Sequence, residues 1–248
     1  MQDLAITSLL SALRSRSFDL LGLASARAHD RGVPAAHRLL ASETADRAVI
    51  VVGASDHWWS RALACLDADP TLRAAEHPLE AHLERELRAA LETAAARHAR
   101  MSSWDLRLAH GRQPPSMRAL ASLSGLASAS PSGLSAHAVF GTWISWFAAV
   151  VTDLPAPSGD APATEPCASC PAPCEATRRE VAARFPIDPD AATVPRAGWG
   201  AHVEVRAACP VGAAHRFSDD RIEYHYTHDR AALERALAHW RRCSSRNE

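Results

Sequence analysis

The pattern of apolar and polar positions along the chain predicts a mixture of helices and strands. Residues 78–100 open with Pro78 and then carry a leucine at every fourth position, with charged residues between them, which predicts an amphipathic helix. Residues 48–52 form a nearly unbroken apolar, mostly β-branched run that ends at Gly53, which predicts a buried strand. Helical spacing of apolar residues also predicts helices over residues 4–14, 19–29, 57–66, 116–125 and 230–242.

The stretch over residues 130–155 changes character. A Ser-Pro-Ser-Gly turn, a short strand, a Phe-Gly-Thr turn and a long apolar strand predict a hairpin packed in a sheet. Together these elements predict an α+β fold whose central sheet is mainly antiparallel and flanked by helices. Residues 155–166 are rich in proline and alanine and have little to bury, so they predict a linker between a domain over residues 1–154 and a C-terminal module over residues 167–248.

Composition narrows the classes of partner and location. The chain has 248 residues, 47% of them hydrophobic, which is enough for a substantial core. Its net charge of −1 and the lack of a long basic run argue against a nucleic-acid partner. The N-terminal residues lack the pattern of a signal peptide, and no stretch is long and apolar enough to predict a membrane span, so we expect a soluble, cytoplasmic protein.

The cysteine spacing carries the clearest chemical signal. Cys167, Cys170 and Cys174 follow a C-x2-C-x3-C spacing, but Arg178 stands near the place where a ferredoxin loop has a fourth cysteine followed by proline. In ferredoxins with two clusters, the cysteine before proline binds the cluster of the other run. Cys209 precedes Pro210. If one cluster of such a pair is retained, these four cysteines are its ligand set, and we predict one [4Fe-4S] cluster there.

Other interpretations of the cysteines remain open. Four thiolates also suit a structural zinc ion, and a degenerate loop could hold no metal. Cys65 and Cys243 each stand alone on a predicted helix, where a cysteine is most often a small packed apolar residue.

The larger segment resembles a group of cobalamin-related proteins. Its order of features is a strand ending VVGAS, the aromatic DHWW, the helix of residues 78–100 and the stretch GLSAHAVFGTWISWF over residues 133–147. This order is similar to that of MMACHC-like cobalamin chaperones, epoxyqueuosine reductases and reductive dehalogenases, over about residues 45–228. The resemblance implies nitroreductase-like α/β/α layers followed by a ferredoxin-like module.

The resemblance also implies a corrinoid site. His137, Phe140, Gly141 and Trp143 would line the face of a bound cobalamin, with the glycine allowing close approach and the aromatic rings offering stacking surface. Two positions depart from the family pattern, since Ala138 and Phe147 stand where a proline and an arginine are expected. A structural reading is the alternative, with Gly141 in a turn, Trp143 in the core and His137 in a loop.

Two functions follow from these features. The first is an iron–sulfur redox protein of the oxidoreductase class, which transfers electrons to a corrinoid or flavin in the larger domain or to a redox partner protein. The second is a cobalamin-binding or partner-binding protein whose four-cysteine site only stabilises the fold. The run EYHYTHD, which contains His225 and His228, offers proton donors or a cofactor wall, or is a polar stretch before a helix.

Overall fold

The chain folds into two compact units, each assembled from segments that are distant in sequence. The computed structural model describes residues 4–40, 45–98, 101, 103–159, 161–162, 164–185 and 198–245. The first unit contains Met1–Trp58, Leu83–Ala129 and Ile144–Glu165, and the second contains Trp59–His82, Ser130–Trp143 and Pro166–Glu248. The division of the chain at a linker over residues 155–166 stays a prediction.

A four-stranded antiparallel sheet forms the centre of the first unit. Its strands are β1 (Leu20–Ser25), β2 (Arg47–Ala54), β3 (Trp104–Leu108) and β6 (Ser145–Pro155), in the order β1-β2-β6-β3. The two interior strands, β2 and β6, pair with Ile50 opposite Val150. The α+β fold with an antiparallel sheet flanked by helices is therefore confirmed.

Burial on both faces of the sheet explains why β2 is so apolar. Successive side chains of a strand point to opposite faces, and every residue from Ala48 to Ala54 is buried. Gly53 is required at its position, because a β-carbon there would lie 2.6 Å from the ring of Trp146 on β6. On one face, strands and helices share a core cluster of Ala24, Ala26, Leu39, Val49, Val51, Met117, Leu120, Ala149 and Val151.

Serine side chains cap two helices of the first unit. Its helices include α1 (Leu4–Arg14), α2 (Ala26–Arg31) and α6 (Met117–Leu123), and Ser25 and Ser116 accept hydrogen bonds from the first turns of α2 and α6. Helices α3 (His57–Ala68) and α5 (Pro78–Arg97) begin in one unit and continue in the other. A short 3-10 helix spans Ala35–His37. Residue 100, the predicted end of the long helix, lies outside the described residues.

The second unit is mainly helical. It contains α4 (Pro70–Ala74), α7 (Pro173–Arg184), α8 (Trp199–Ala207), α9 (Asp219–Thr227), α10 (Arg230–Ser244) and a 3-10 helix over Ala213–His215. Val181 of α7 packs against Ala201 and Val205 of α8. The predicted terminal helix is confirmed as α10. Among the described residues, no helix has the length and apolar character needed to cross a membrane.

Two predictions about local structure were wrong, and one strand was missed. Residues 20–25, predicted as helix, form β1, because all six pair with Ala48–Gly53 and this pairing outweighs the local helical spacing. Strand β3 was missed, although its five residues pair with β6. The predicted hairpin is absent from the described sheet, because β6 pairs with β2 and β3, while the two short strands β4 (Ser128–Ala129) and β5 (Ser135–Ala136) are not part of it.

Asp46 connects the end of β1 to the start of β2 through hydrogen bonds. The Ser25 hydroxyl donates to one carboxylate oxygen at 2.7 Å, and the amides of Arg27 and Arg47 donate to the other at 3.0 and 2.9 Å. Burial opposes the charged form, but these hydrogen bonds outweigh it and lower the pKa of Asp46 below its ordinary value of 3.8.

We expect Asp46→Asn to lower the free energy of unfolding by about 1–2 kcal/mol at pH 7. A carboxylate with a lowered pKa in the folded state stabilises the protein above its unfolded pKa, and this contribution is lost as the pH falls through the folded value. The difference in unfolding free energy between wild type and variant should therefore shrink below pH 4. Urea unfolding measured at a series of pH values from 7 downwards checks this. Asp105→Asn removes an exposed carboxylate paired with Arg107 and serves as the control. A difference that stays constant with pH would contradict this account.

Candidate metal centre

The first three cysteines lie on one loop and the helix that follows it. The Cys170 amide donates to the Cys167 carbonyl at 3.2 Å, which closes a turn. The chain then passes through Ala172 in the left-handed region, with φ 52° and ψ 49°, and enters α7 at Pro173. The Ala172 amide donates to the Cys170 sulfur at 3.4 Å. Cys174 therefore lies in the first turn of α7, with the other two cysteines immediately before it.

The fourth cysteine follows the end of α8. The Cys209 amide donates to the Arg206 carbonyl at 3.3 Å, and Pro210 follows at once. Cys209 and Cys174 are each only 3% exposed, whereas Cys167 and Cys170 are partly exposed. Two of the sulfurs are thus shielded from water and two lie nearer the surface.

Mutual electrostatic effects show that the structure brings the four thiols together. Burial is the largest cause that raises the pKa of Cys167, and Cys209, Cys170 and Cys174 each raise it further. The pKa of Cys174 is raised by burial and then by Cys209 and Cys170. The four thiols therefore lie close enough to influence one another.

Two glycines let the chain around Cys209 touch an earlier segment through backbone atoms. Gly141 and Gly212 both have positive φ, 53° and 75°. A β-carbon on Gly141 would lie 1.7 Å from the Val211 carbonyl oxygen, and one on Gly212 would lie 2.1 Å from the Phe140 carbonyl carbon. No side chain fits at either place. We call this contact between residues 140–141 and 211–212 the glycine crossing.

The segment over residues 130–143, which includes one side of the glycine crossing, also contacts the first cysteines. Ser132 makes a backbone hydrogen bond to Cys174 that lowers the thiol pKa against the larger effect of burial. The Arg178 guanidinium donates to the Pro131 carbonyl at 3.0 Å. Thr142 donates to the Arg206 carbonyl at 2.9 Å, the same oxygen that accepts from the Cys209 amide. The segment therefore contacts both groups of cysteines.

A tight turn over residues 137–141 orients the predicted histidine. His137 and Gly141 exchange two backbone hydrogen bonds of 2.8 and 2.9 Å. The His137 ring nitrogen Nδ1 accepts from the amides of Val139 and Phe140, so the neutral ring carries its proton on Nε2. The Phe140 ring stacks on the imidazole at 4.9 Å and receives the edge of His215 at 4.9 Å.

The four residues predicted to line a corrinoid face have different surroundings. His137 and Phe140 are partly exposed. Gly141 faces the backbone of Val211 at the glycine crossing. Trp143 is 1% exposed and packs on Phe217, with the Arg206 guanidinium 5.0 Å from its ring. Their contact with a corrinoid stays a prediction. Cys65 and Cys243 lie on α3 and α10, as predicted.

Buried arginines are a feature that sequence reasoning missed. Arg206 is 6% exposed, and its side chain donates to the Thr142 carbonyl at 2.8 Å. Arg221 is 4% exposed, and its guanidinium lies 3.4 Å from the centre of the Phe217 ring. Desolvation and the charges of these two cations lower the pKa of His225, although the residue as a whole is exposed. In the sequence, the run EYHYTHD over residues 223–229 was the feature that pointed to this group of buried arginines and aromatic rings.

Comparisons with known proteins identify the fold. No protein-family model matches the chain, and no curated protein matches it. Among solved structures, the C. elegans B12-trafficking protein CblC, a homologue of human MMACHC, has a TM-score of 0.69 at 11% identity, over 95% of this chain and 96% of that one. An epoxyqueuosine reductase has a TM-score of 0.53 at 12% identity, over 86% of this chain and 67% of that one.

A second epoxyqueuosine reductase structure, solved with an epoxyqueuosine-modified tRNA-Tyr stem loop, has a TM-score of 0.51 at 12% identity, over 86% of this chain and 66% of that one. At such low identities these similarities establish the fold alone. The chain has the mixed α+β fold that CblC and epoxyqueuosine reductase share.

The glycine crossing leads to a prediction about stability. We expect Gly141→Ala to lower the free energy of unfolding by about 2–4 kcal/mol, because the added carbon collides with a backbone oxygen and the residue must keep a positive φ. Gly159→Ala is the matched control, since Gly159 has φ 89° and no atom near the added carbon, and it should cost about 1 kcal/mol. Urea unfolding measures both. Equal losses of unfolding free energy in the two variants would show that the backbone at Gly141 does not approach Val211 this closely.

Proposed function

We propose that this chain is an iron–sulfur redox protein that carries one [4Fe-4S] cluster on Cys167, Cys170, Cys174 and Cys209. It transfers electrons to a corrinoid or flavin bound by the same chain, or to a partner protein. The observation that carries the proposal is the meeting of four thiols from two segments 35 positions apart, which the contacts of residues 130–143 hold in place. The fold supports it, because the similar structures include a B12-trafficking protein and a reductase.

The sequence pattern favours a cluster over a single zinc ion, because the C-x2-C-x3-C spacing and a distant cysteine before a proline are typical of ferredoxin cluster ligands. The amide hydrogen bond to the Cys170 sulfur is also suitable, since hydrogen bonds to ligand sulfurs help to set a cluster's potential.

The residues of the chain have distinct roles in this proposal. A bound [4Fe-4S] cluster supplies one-electron transfer. The burial of Cys174 and Cys209 excludes water from one side of the centre, and the Cys167–Cys170 turn forms its accessible side. Arg178, near the place of the absent cysteine, fastens α7 to Pro131 through its guanidinium. In this proposal one cluster site is present, and Arg178 makes a structural contact near the place of the absent cysteine.

For the corrinoid, we propose that His137 and Phe140 provide the contact surface. Their stacked rings are partly exposed, and the neutral histidine ring carries its proton on Nε2. Gly141 and Trp143 support this turn from behind, because one packs on the Val211 backbone and the other is buried. In this proposal they also position the turn that carries the two rings.

A second candidate is a cobalamin-binding or partner-binding protein in which the four cysteines bind a cluster or zinc only for stability. The burial of two ligands favours it, because metal ligation there would fasten α7 to the end of α8 and contribute free energy of folding. Nucleic acid is a further candidate partner, since one structure with this fold was solved with a tRNA stem loop. The net charge of −1 does not favour it.

Cysteine substitution tests the metal centre. We expect anaerobically purified wild type to contain iron and acid-labile sulfide in equal amounts, and Cys209→Ser to lose both together with the broad visible absorbance of the cluster. Cys243→Ser, which alters an exposed cysteine on α10, should leave all three unchanged. Stoichiometric zinc with neither iron nor sulfide would overturn the cluster.

A Cys209→Ser variant that keeps its unfolding free energy but loses reduction of an added electron acceptor favours the redox role, whereas loss of the fold without a redox effect favours the structural role.

Spectral titration tests the corrinoid half of the proposal. We expect added cobalamin to shift to a base-off spectrum on binding, and His137→Ala and Phe140→Ala each to weaken binding by about tenfold or more, since each removes stacking surface. His239→Ala, at an exposed histidine of α10, is the control. If neither oxidised nor reduced cobalamin changes its spectrum, the corrinoid role is excluded, and the iron–sulfur assignment is unaffected.

A further inference from the structure

Three metal-binding side chains meet in the second unit and share no residue with the four-cysteine centre. Ligand atoms of His77, Glu80 and His228 all lie within 4.8 Å of one another. The His228 Nδ1 atom lies 3.1 Å from the Glu80 carboxylate, and the two imidazole rings meet edge to face at 5.9 Å. We propose that these residues bind one divalent transition-metal ion, and specifically zinc.

Two of the ligands are fixed by the start of α5. The Ala81 amide donates to the His77 carbonyl at 2.9 Å, so His77 immediately precedes the helix. Pro78 follows and restricts the backbone, and Glu80 lies in the first helical turn. The two side chains are three residues apart, which places them on the same side of the first turn.

The third ligand is held between two helices. His228 ends α9 in the left-handed region at φ 54°, and its amide donates to the Tyr224 carbonyl at 2.8 Å. Asp229 then caps α10 by accepting a hydrogen bond from the Ala231 amide. The Arg230 guanidinium donates to the Ala75 carbonyl at 2.9 Å, which fastens this corner to the chain just before His77. The backbone on both sides of His228 is therefore fixed, and the ring faces the other two ligands.

The donor types identify the class of metal. Two imidazoles and one carboxylate form a mixed nitrogen and oxygen set that suits zinc, whereas calcium and magnesium prefer oxygen donors alone. The side chains of His77 and His228 are 60% and 42% exposed, so an ion there can be reached from solvent. Three protein ligands leave a fourth tetrahedral position for water or another small ligand. The geometry thus matches an open zinc site instead of a closed structural one.

A zinc titration against a chromophoric chelator tests the proposal on the full chain with all six cysteines in place. We expect wild type to bind one more equivalent of zinc than His77→Ala and Glu80→Gln do, with at least tenfold weaker binding in each variant. Glu76→Gln is the matched control, because Glu76 is 91% exposed and its Oε1 atom lies 4.0 Å from His77 Nε2. Equal zinc binding in wild type and in both ligand variants would overturn the proposal.

Two further measurements separate a metal ligand from a structural contact. His228→Gly removes the imidazole while glycine suits the left-handed backbone, so the variant should keep its fold and still lose the additional equivalent of zinc. Cobalt added in place of zinc should give visible d–d bands without the near-ultraviolet sulfur-to-cobalt charge transfer that thiolate ligands produce. Sulfur-to-cobalt bands on the additional equivalent, or full zinc binding by a folded His228→Gly variant, would assign the ion to the cysteines and exclude the histidine site.

Discussion

The contact of backbone with backbone at Gly141 and Gly212 is the constraint on which the candidate centre depends. A β-carbon on Gly141 would lie 1.7 Å from a carbonyl oxygen, and one on Gly212 would lie 2.1 Å from a carbonyl carbon, so the two segments can approach this closely only without side chains. Cys209 is three residues before Gly212, and its position follows from this approach. On the other side, Ser132 makes a backbone hydrogen bond to Cys174, and the Pro131 carbonyl accepts a hydrogen bond from Arg178. The segment over residues 130–143 thus determines where both groups of cysteines lie.

Buried charge next to the glycine crossing strengthens this arrangement. Arg206 and Thr142 exchange two hydrogen bonds, each side chain donating to the other's backbone carbonyl at 2.8 and 2.9 Å. Burial lowers the pKa of the Arg206 guanidinium, and Tyr226 acts in the opposite direction through a hydrogen bond. The ring of Trp143 lies 5.0 Å from the guanidinium and offers a cation–π contact. A buried cation is costly unless such partners surround it, so the same partners that stabilise Arg206 also fix the turn that leads to Cys209.

Local patterns predicted the elements that local forces determine. The strand β2, the helices α3, α5 and α6 and the terminal helix α10 all follow from apolar periodicity, starting proline residues and capping. The ligand set of four cysteines was proposed from their spacing and from Cys209 standing before Pro210. Strand β1 was missed because its pairing with β2 outweighs a helical pattern that includes Gly22. No local pattern could reveal that Gly212 meets Phe140 or that His77 and Glu80 meet His228, because each contact joins residues that are distant in sequence.

The unequal exposure of the four cysteines bears on which proposed function is stronger. A site that serves stability alone gains most from closed burial, because water competes for the metal and weakens the fastening of one segment to another. Here Cys174 and Cys209 are 3% exposed, while Cys167 and Cys170 lie on a partly exposed turn. Electron exchange with a partner would require one edge of a cluster to lie near the surface, and the Cys167–Cys170 turn would provide that edge. In the proposed centre the buried pair would contribute stability and the partly exposed pair would contribute access, so the redox proposal uses both halves of the site, whereas the structural proposal uses one.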